Sequence, residues 1–285
     1  MKITYIYHSG FLVESADAYY IFDYYRADFS VTDADKPVYV FVSHRHPDHY
    51  NPYVFEILRE KKVRRMTGII SYDIKPRNYT SHMEGVEIIA AEPDKEYTLD
   101  NGALVRTLRS TDKGVAYVVT FDDGGVPRSV YHAGDLNDWV WEGEDERVNK
   151  WMTGSYRRYL TAVEGMHFDA VMVPVDSRQG DDMFRGIEYL LEKVKADAVY
   201  PMHYWDKPEV IMQFAGKYPQ YADIIRYTED RMDRYSVIED KNPREIVLLR
   251  GSGCVYKKCT FCDYYSDSGK DEDCLLYTSP SPRDY

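Results

Sequence analysis

The chain predicts an α/β (α+β) fold: a β-sandwich with helices on its outer faces, four layers in αββα order. Three observations carry this. Closely spaced strand patterns come first, before any helix. Strand and helix patterns then alternate, which suits helices packed outside two sheets. Residues 38–42, Val-Tyr-Val-Phe-Val, are apolar at every position, as a central strand covered on both faces must be. The length, 285 residues, suits one large domain or two ordinary ones. With 44% hydrophobic and 29% charged residues the composition is globular.

The elements follow in order. Ile3, Tyr5 and Tyr7 alternate with Thr4 and Ile6; Phe11-Leu12-Val13 and Tyr19-Tyr20-Ile21-Phe22 follow across turns at Ser9-Gly10 and Ser15-Ala16-Asp17. After the central strand, Asn51 is read as a helix cap and Pro52 as the first helical position, with Val54, Phe55 and Leu58 as the apolar face. Short strands are expected over 67–71, 86–90, 103–108, 115–121 and 129–132, the last two joined by a hairpin turn at Asp122-Asp123-Gly124-Gly125. A helix over 144–163 carries Val148, Met152, Tyr156, Tyr159, Leu160 and Val163 on one side. A buried strand over 168–175 precedes a helix capped by Asp181 or Asp182, whose stripe is Phe184, Ile187, Leu190, Leu191 and Val194. A buried strand over 198–202 ends at His203; a helix over 208–217 and two late strands complete a domain of residues 1–240.

Net charge −12 argues against a general affinity for a nucleic-acid backbone. The basic run Lys61-Lys62-Val63-Arg64-Arg65 is read as a solvated helix end. The 28 tyrosines suit core edges or a polar cleft. The chain opens directly on a strand, with no signal peptide and no long apolar segment, so a cytoplasmic location away from membranes is expected. Four cysteines are too few for a disulfide scaffold, and all lie after residue 253.

The central strand ends in Ser43-His44-Arg45-His46-Pro47-Asp48-His49. Three imidazoles and a carboxylate within six positions are a donor set for zinc, iron or a similar ion. Two further strand ends carry ligand types: Val130-Tyr131-His132-Ala133-Gly134-Asp135, and Tyr200-Pro201-Met202-His203.

The H-x-H-x-D-H spacing, followed in order by Gly134-Asp135 and His203, resembles the metallo-β-lactamase-fold hydrolases over residues 1–240. The resemblance implies that His44 and His46 hold a first metal, that Asp48, His49 and His203 hold a second, and that Asp135 bridges them. It implies one or two divalent ions, zinc first with manganese or iron as alternatives, and a bound water made nucleophilic near neutral pH with Asp48 aiming it. The pattern departs from the family at one point. The segment 109–117, where a further first-site histidine is usual, has none. Asp112 is one substitute, His132 from a neighbouring strand another, and a single-metal enzyme a third reading; Asp112 as a plain turn residue stands beside them. His8, in a His-Ser-Gly turn, is a further candidate ligand or a turn histidine. Asp176 either supports His203 from behind or caps the next helix. His82 and His167 are read as structural, and the tryptophans at 139, 141 and 151 as packing or a cleft wall.

Cys254, Cys259 and Cys262 form C-x4-C-x2-C, which suits an iron–sulfur cluster or zinc. The motif resembles the opening of a radical S-adenosylmethionine domain. Residues 241–273 are therefore expected to be a linker and a truncated start of such a domain. A 4Fe-4S cluster and S-adenosylmethionine would belong only to a longer natural protein. Residues 274–285 resemble translated sequencing-adapter read-through, a tail that is not native.

The expected function is a metal-dependent hydrolase of an ester, lactone or phosphoester small molecule, with the His-Ser-Gly and Pro-Met-His-Tyr-Trp segments leaning toward the lactonase-like branch. The rivals are a nuclease of the same fold and a non-catalytic metal-binding domain attached to the cysteine-bearing partner.

Overall fold

The structure, a computed structural model, describes residues 1–75 and 81–227 with their side chains, and the backbone of Met232–Val237 and Arg244–Leu249. The chain divides into two compact units, Met1–Thr228 and Glu229–Tyr285.

The first unit is built on two six-stranded sheets. One runs β1 (Lys2–Tyr7), β2 (Gly10–Glu14), β3 (Tyr19–Phe22), β4 (Val38–Val42), β5 (Met66–Ser71), β6 (Glu87–Ala91), antiparallel up to β3 and parallel from there. The other holds β7 (Glu96–Thr98), β8 (Leu104–Arg109), β9 (Val115–Asp122), β10 (Pro127–His132), β12 (Ala170–Pro174) and β14 (Val199–Met202) in the order β14-β12-β10-β9-β8-β7. There β10, β12 and β14 are parallel and the rest antiparallel. A small separate pair joins β11 (His167–Phe168) and β13 (Lys195–Ala196) in parallel. The helices are α1 (Val54–Glu60), α2 (Glu146–Leu160), α3 (Arg185–Lys193) and α4 (Glu209–Lys217).

Period-two alternation explains the layering. Tyr20, Phe22, Tyr39 and Phe41 point to the core shared with the second sheet, joining Tyr117, Val119 and Val130. Their neighbours Tyr19, Ile21, Val38, Val40 and Val42 point to the other face, against Val54, Phe55 and Leu58 of α1. Every residue of β4 is buried, and each apolar side chain there contributes roughly 1.5–3 kcal/mol of transfer free energy. Tyr156 and Leu160 of α2, Ile187, Leu190 and Leu191 of α3, and Val210, Ile211 and Phe214 of α4 join the core of the second sheet. This is the expected αββα sandwich. The Tyr117 hydroxyl ties the sheets together, 2.8 Å from the Val42 carbonyl and 3.0 Å from that of Ile69.

Three details differ from expectation. The late strands, β15 (Met232–Val237) and β16 (Arg244–Leu249), pair antiparallel in the second unit, so the first unit ends at residue 228, not 240. Helix α1 starts at Val54: Asn51 accepts from Tyr53 N–H in a turn ahead of the helix. Neither Asp181 nor Asp182 caps α3, which begins after Phe184; Asp176 instead caps a 3-10 turn, Ser177–Asp182. Cys254, Cys259 and Cys262, and residues 274–285, lie outside the described residues.

Candidate metal centre

Strand direction gathers the site. β1 and β3 run parallel across β2, and β4 follows parallel to β3; β8, β10, β12 and β14 likewise share one direction. The candidate residues lie just beyond the C-terminal ends of these strands: His8 after β1, the His44–His49 run after β4, Asp112 after β8, Asp135 after β10, Asp176 after β12 and His203 after β14. Asp23, after β3, belongs to the same set.

Two glycines make room for the motif. Gly114 has φ +67°, and a Cβ there would stand 1.9 Å from the Ser43 carbonyl oxygen. Gly134, at φ +53°, would place one 2.5 Å from Ser43 Cβ. Only a residue without a side chain permits either approach. His8, Asp23, His203 and Trp205 also have positive φ, between 42° and 65°. Such backbone costs about 1–3 kcal/mol per residue and concentrates where function demands it.

The ligand-type atoms form two groups: His8, Asp48, His49 and His203, and His44, His46, Asp112 and Asp135, each with its donor atoms within 4.8 Å of one another. Asp135 faces both. Its Oδ2 lies 3.5 Å from His44 Nε2, while its Oδ1 lies 3.2 Å from His49 Nε2 and 3.5 Å from His203 Nε2. Asp48 Oδ2 is 3.2 Å from His8 Nε2 and 3.8 Å from both His49 Nε2 and His203 Nε2. His46 Nδ1 is 3.4 Å from Asp112 Oδ2. A tetrahedral ion with bonds of about 2.1 Å spaces its ligands by about 3.4 Å, so these separations are those of ligands sharing a cation.

Three of the buried imidazoles, those of His44, His49 and His203, are held from behind in one tautomer. Ser43 Oγ–H donates to Asp23 Oδ2 (2.6 Å), so Ser43 Oγ accepts from His44 Nδ1–H (2.9 Å). His49 Nδ1–H donates to Asp23 Oδ2 (2.8 Å), and His203 Nδ1–H to Asp176 Oδ2 (3.0 Å). Asp23 Oδ1 also accepts Ser43 N–H (2.7 Å), and Asp176 receives Arg178 Nε–H at 2.9 and 3.0 Å. Each of the three rings thus aims an Nε2 lone pair into the centre, the arrangement that metal-ligating histidines use.

Electrostatics agree. Burial holds His44, His49 and His8 below the usual imidazole range, so they stay neutral. Burial opposes protonation of His203 too, but Asp135, Asp176 and Asp48 together raise it. Burial pushes Asp135 up to about 7, with Asp112, Asp48 and Asp23 adding and His203 opposing. Burial would raise Asp48 as well, yet His8, His49 and His203 hold it below the carboxylate range. His8 Nε2, His44 Nε2, His49 Nε2 and Asp135 Oδ1 are buried with no hydrogen-bond partner. Four such orphaned polar atoms would each cost about 1–3 kcal/mol, and divalent cations at the two groups are partners that would satisfy them.

Asp112 sits with His44 and His46, where the sequence left Asp112 and His132 open. His132 has no free nitrogen: its Nε2–H donates to the Ser9 carbonyl (2.8 Å) and its Nδ1 accepts Gly134 N–H (3.1 Å). His8 lies with the His49 group, and Asp176 supports His203. Asp23 escaped the sequence reading; its signal was an acidic residue directly after the buried run Tyr19–Phe22. His82 and His167 stand apart, next to Glu56 and Asp197.

The centre opens into a cleft of about 350 Å³ lined by His46, Asp48, Asp112, Asp135, Trp139, Trp141, Met152, Arg178, His203 and Trp205. Trp151 is not among its walls and is 59% exposed. Among the described residues no helix is long and apolar enough to cross a membrane.

In fold the chain is similar to a metallo hydrolase from the hyperthermophilic archaeon Ignicoccus hospitalis, at 18% identity over 86% of this chain and 97% of that one, with a TM-score of 0.53. It is also similar to a protein described as a metal-dependent hydrolase from Parabacteroides distasonis, at 16% identity over 79% of this chain and 90% of that one, TM-score 0.50. No curated protein matches the sequence. The family profile described as Beta-lactamase superfamily domain matches residues 2–149, which contain every candidate ligand except His203. That match spans more than half of the chain, and the chain belongs to this beta-lactamase superfamily domain family.

Proposed function

We propose that the chain is a dinuclear metal-dependent hydrolase acting on an ester, lactone or phosphoester of a small molecule. One observation carries the reading: the two oxygens of Asp135 address separate histidine sets at ligand-to-ligand spacing. Divalent ions, when bound, supply a water that ionises near neutral pH and a positive field for the developing oxyanion. The protein's own groups do the rest. His44, His46, Asp112 and Asp135 would hold one ion, and His8, Asp48, His49 and His203 the other, with Asp135 shared. Asp48, held below the usual carboxylate range, would accept a hydrogen bond from the attacking water and aim it. In an ester or lactone a bond forms from the water oxygen to the acyl carbon, the acyl C–O bond breaks, and the water's proton ends on the leaving oxygen. The cleft volume favours a small molecule over a polymer.

The test is metal content per chain on protein with Cys254, Cys259, Cys262 and Cys274 all replaced by Ser, so that thiolates add nothing. Two equivalents, lowered by Asp135→Ala together with any hydrolysis, support the reading. No metal after reconstitution, or unchanged content in Asp135→Ala, refutes it.

A further inference from the structure

Beside the metal ligands the cleft has a second wall with its own chemistry. Trp139 and Trp141 stack in parallel, centroids 5.9 Å apart and planes 1° from each other. Trp139 and Trp205 both approach His203, with centroids at 5.6 and 5.9 Å. The Arg178 guanidinium lies 5.1 Å from the Trp205 ring centre and 5.9 Å from that of Trp141. Three indoles and a guanidinium therefore form a collar on the His203 side of the centre.

The collar is built rather than incidental. Trp205 takes a left-handed backbone, φ +55°, which a bulky residue adopts only when its surroundings enforce it. Its Nε1–H is buried with no hydrogen-bond partner. Arg178 uses Nε and Nη2 on Asp176, its Nη1 makes no hydrogen bond among the described residues, and its side chain is 54% exposed. The loop bearing Trp141 is fixed through its backbone: Asn149 accepts from Trp141 N–H (3.1 Å) and donates to its carbonyl (2.9 Å), which holds the ring in the cleft wall beside Trp139. Indole faces bind flat rings, and a guanidinium with donors to spare binds an anion.

We propose that the cleft selects a small substrate carrying a flat aromatic or heteroaromatic ring together with an anionic group, the ring against Trp141 and Trp205 and the anion at Arg178. This rests on the metal-hydrolase reading of the same site and specifies its substrate class.

The test is calorimetric titration of the metal-loaded full chain with 2-naphthoate, 2-naphthamide and acetate. Naphthoate and acetate share a carboxylate, and naphthoate and naphthamide share a ring. Naphthoate should bind at least tenfold more tightly than either. Trp141→Ala and Trp205→Ala should each weaken naphthoate roughly 3- to 10-fold, the worth of one aromatic contact. Acetate binding should stay within about twofold in Trp141→Ala, because Arg178 is positioned by its hydrogen bonds to Asp176 and not by Trp141. Naphthoate no tighter than acetate, or equal losses for both probes in Trp141→Ala, would overturn the collar while metal content stayed intact. A chain without metal would overturn the metal-centre reading and the collar with it, and elemental analysis of the same sample reports that outcome separately.

Discussion

Replacing Asp23 with Asn tests whether the support behind the centre sets metal affinity. Asp23 is fully buried, and its carboxylate accepts three hydrogen bonds: Ser43 N–H on Oδ1, and Ser43 Oγ–H and His49 Nδ1–H on Oδ2. Asparagine offers one acceptor oxygen and one amino group. With its oxygen in the Oδ2 position, its NH2 faces Ser43 N–H, and a buried donor is orphaned at about 1–3 kcal/mol. With the amide turned round, the NH2 faces His49 Nδ1. The proton must then move to His49 Nε2, which points at Asp135 and can no longer bind a cation. Either outcome weakens the centre, and loss of such a supporting partner lowers metal affinity about 10- to 100-fold. Burial already pushes Asp23 up as an acid, so a neutral replacement relieves some desolvation and the stability loss falls at the low end of the range. Competition against a chromogenic chelator measures the affinity, and urea unfolding of the metal-free protein measures stability. A stable Asp23→Asn variant with wild-type metal affinity would refute the reasoning.

Other consequences are as direct. Asp112→Ala should lose the ion at the His44/His46 group and keep the other, because His46 and Asp112 are 41% and 36% exposed while His44 is 0%. Elemental analysis after dialysis should then give about one ion per chain, and two retained ions would exclude Asp112 as a ligand. Gly114→Ala should destabilise the metal-free protein by about 2–5 kcal/mol, from about 1–2 for left-handed backbone and about 1–3 for overpacking against Ser43 and His44; a change under about 1 kcal/mol in urea unfolding would contradict the close approach. Metal binding should release the protons of Asp135 and His203 below pH 7, and above pH 8 only the proton of the bound water. Burial raises Asp135 to about 7 and the carboxylates around His203 raise it, so both carry protons in acid that a cation displaces, whereas His44 and His49 are already neutral. Calorimetry in buffers of different ionisation enthalpy counts those protons, and equal release at pH 6 and pH 8.5 would contradict the assignment.

What could be read from the residues in order was local. Alternation placed Tyr20 and Phe22 on one face of a strand and Tyr19 and Ile21 on the other, and the structure keeps that division. The all-apolar run before Ser43 marked a strand covered on both sides, and β4 is fully buried. The caps differ from the local pattern: Asn51 serves a turn ahead of α1, and Asp181 and Asp182 lie within the 3-10 turn that precedes α3. The six-residue spacing of His44, His46, Asp48 and His49 was legible because the ligands lie within one turn-length of chain.

The rest depended on which distant strand ends become neighbours. Asp112 against His46, His8 against Asp48 and Trp205 against Arg178 are contacts across many residues, and no local pattern records them. The choice between Asp112 and His132 shows the difference. His132 ends β10 and Asp112 follows β8 of the same sheet, and both are ligand types, but β10 turns His132 inward, where Ser9 and Gly134 consume its nitrogens, while the loop after β8 carries Asp112 to the open side. The sequence by itself determined the chemistry at the end of β4, because spacing and residue type are local. The order and direction of the strands decided which partners complete that chemistry, because only the folded sheets bring those strand ends to one edge.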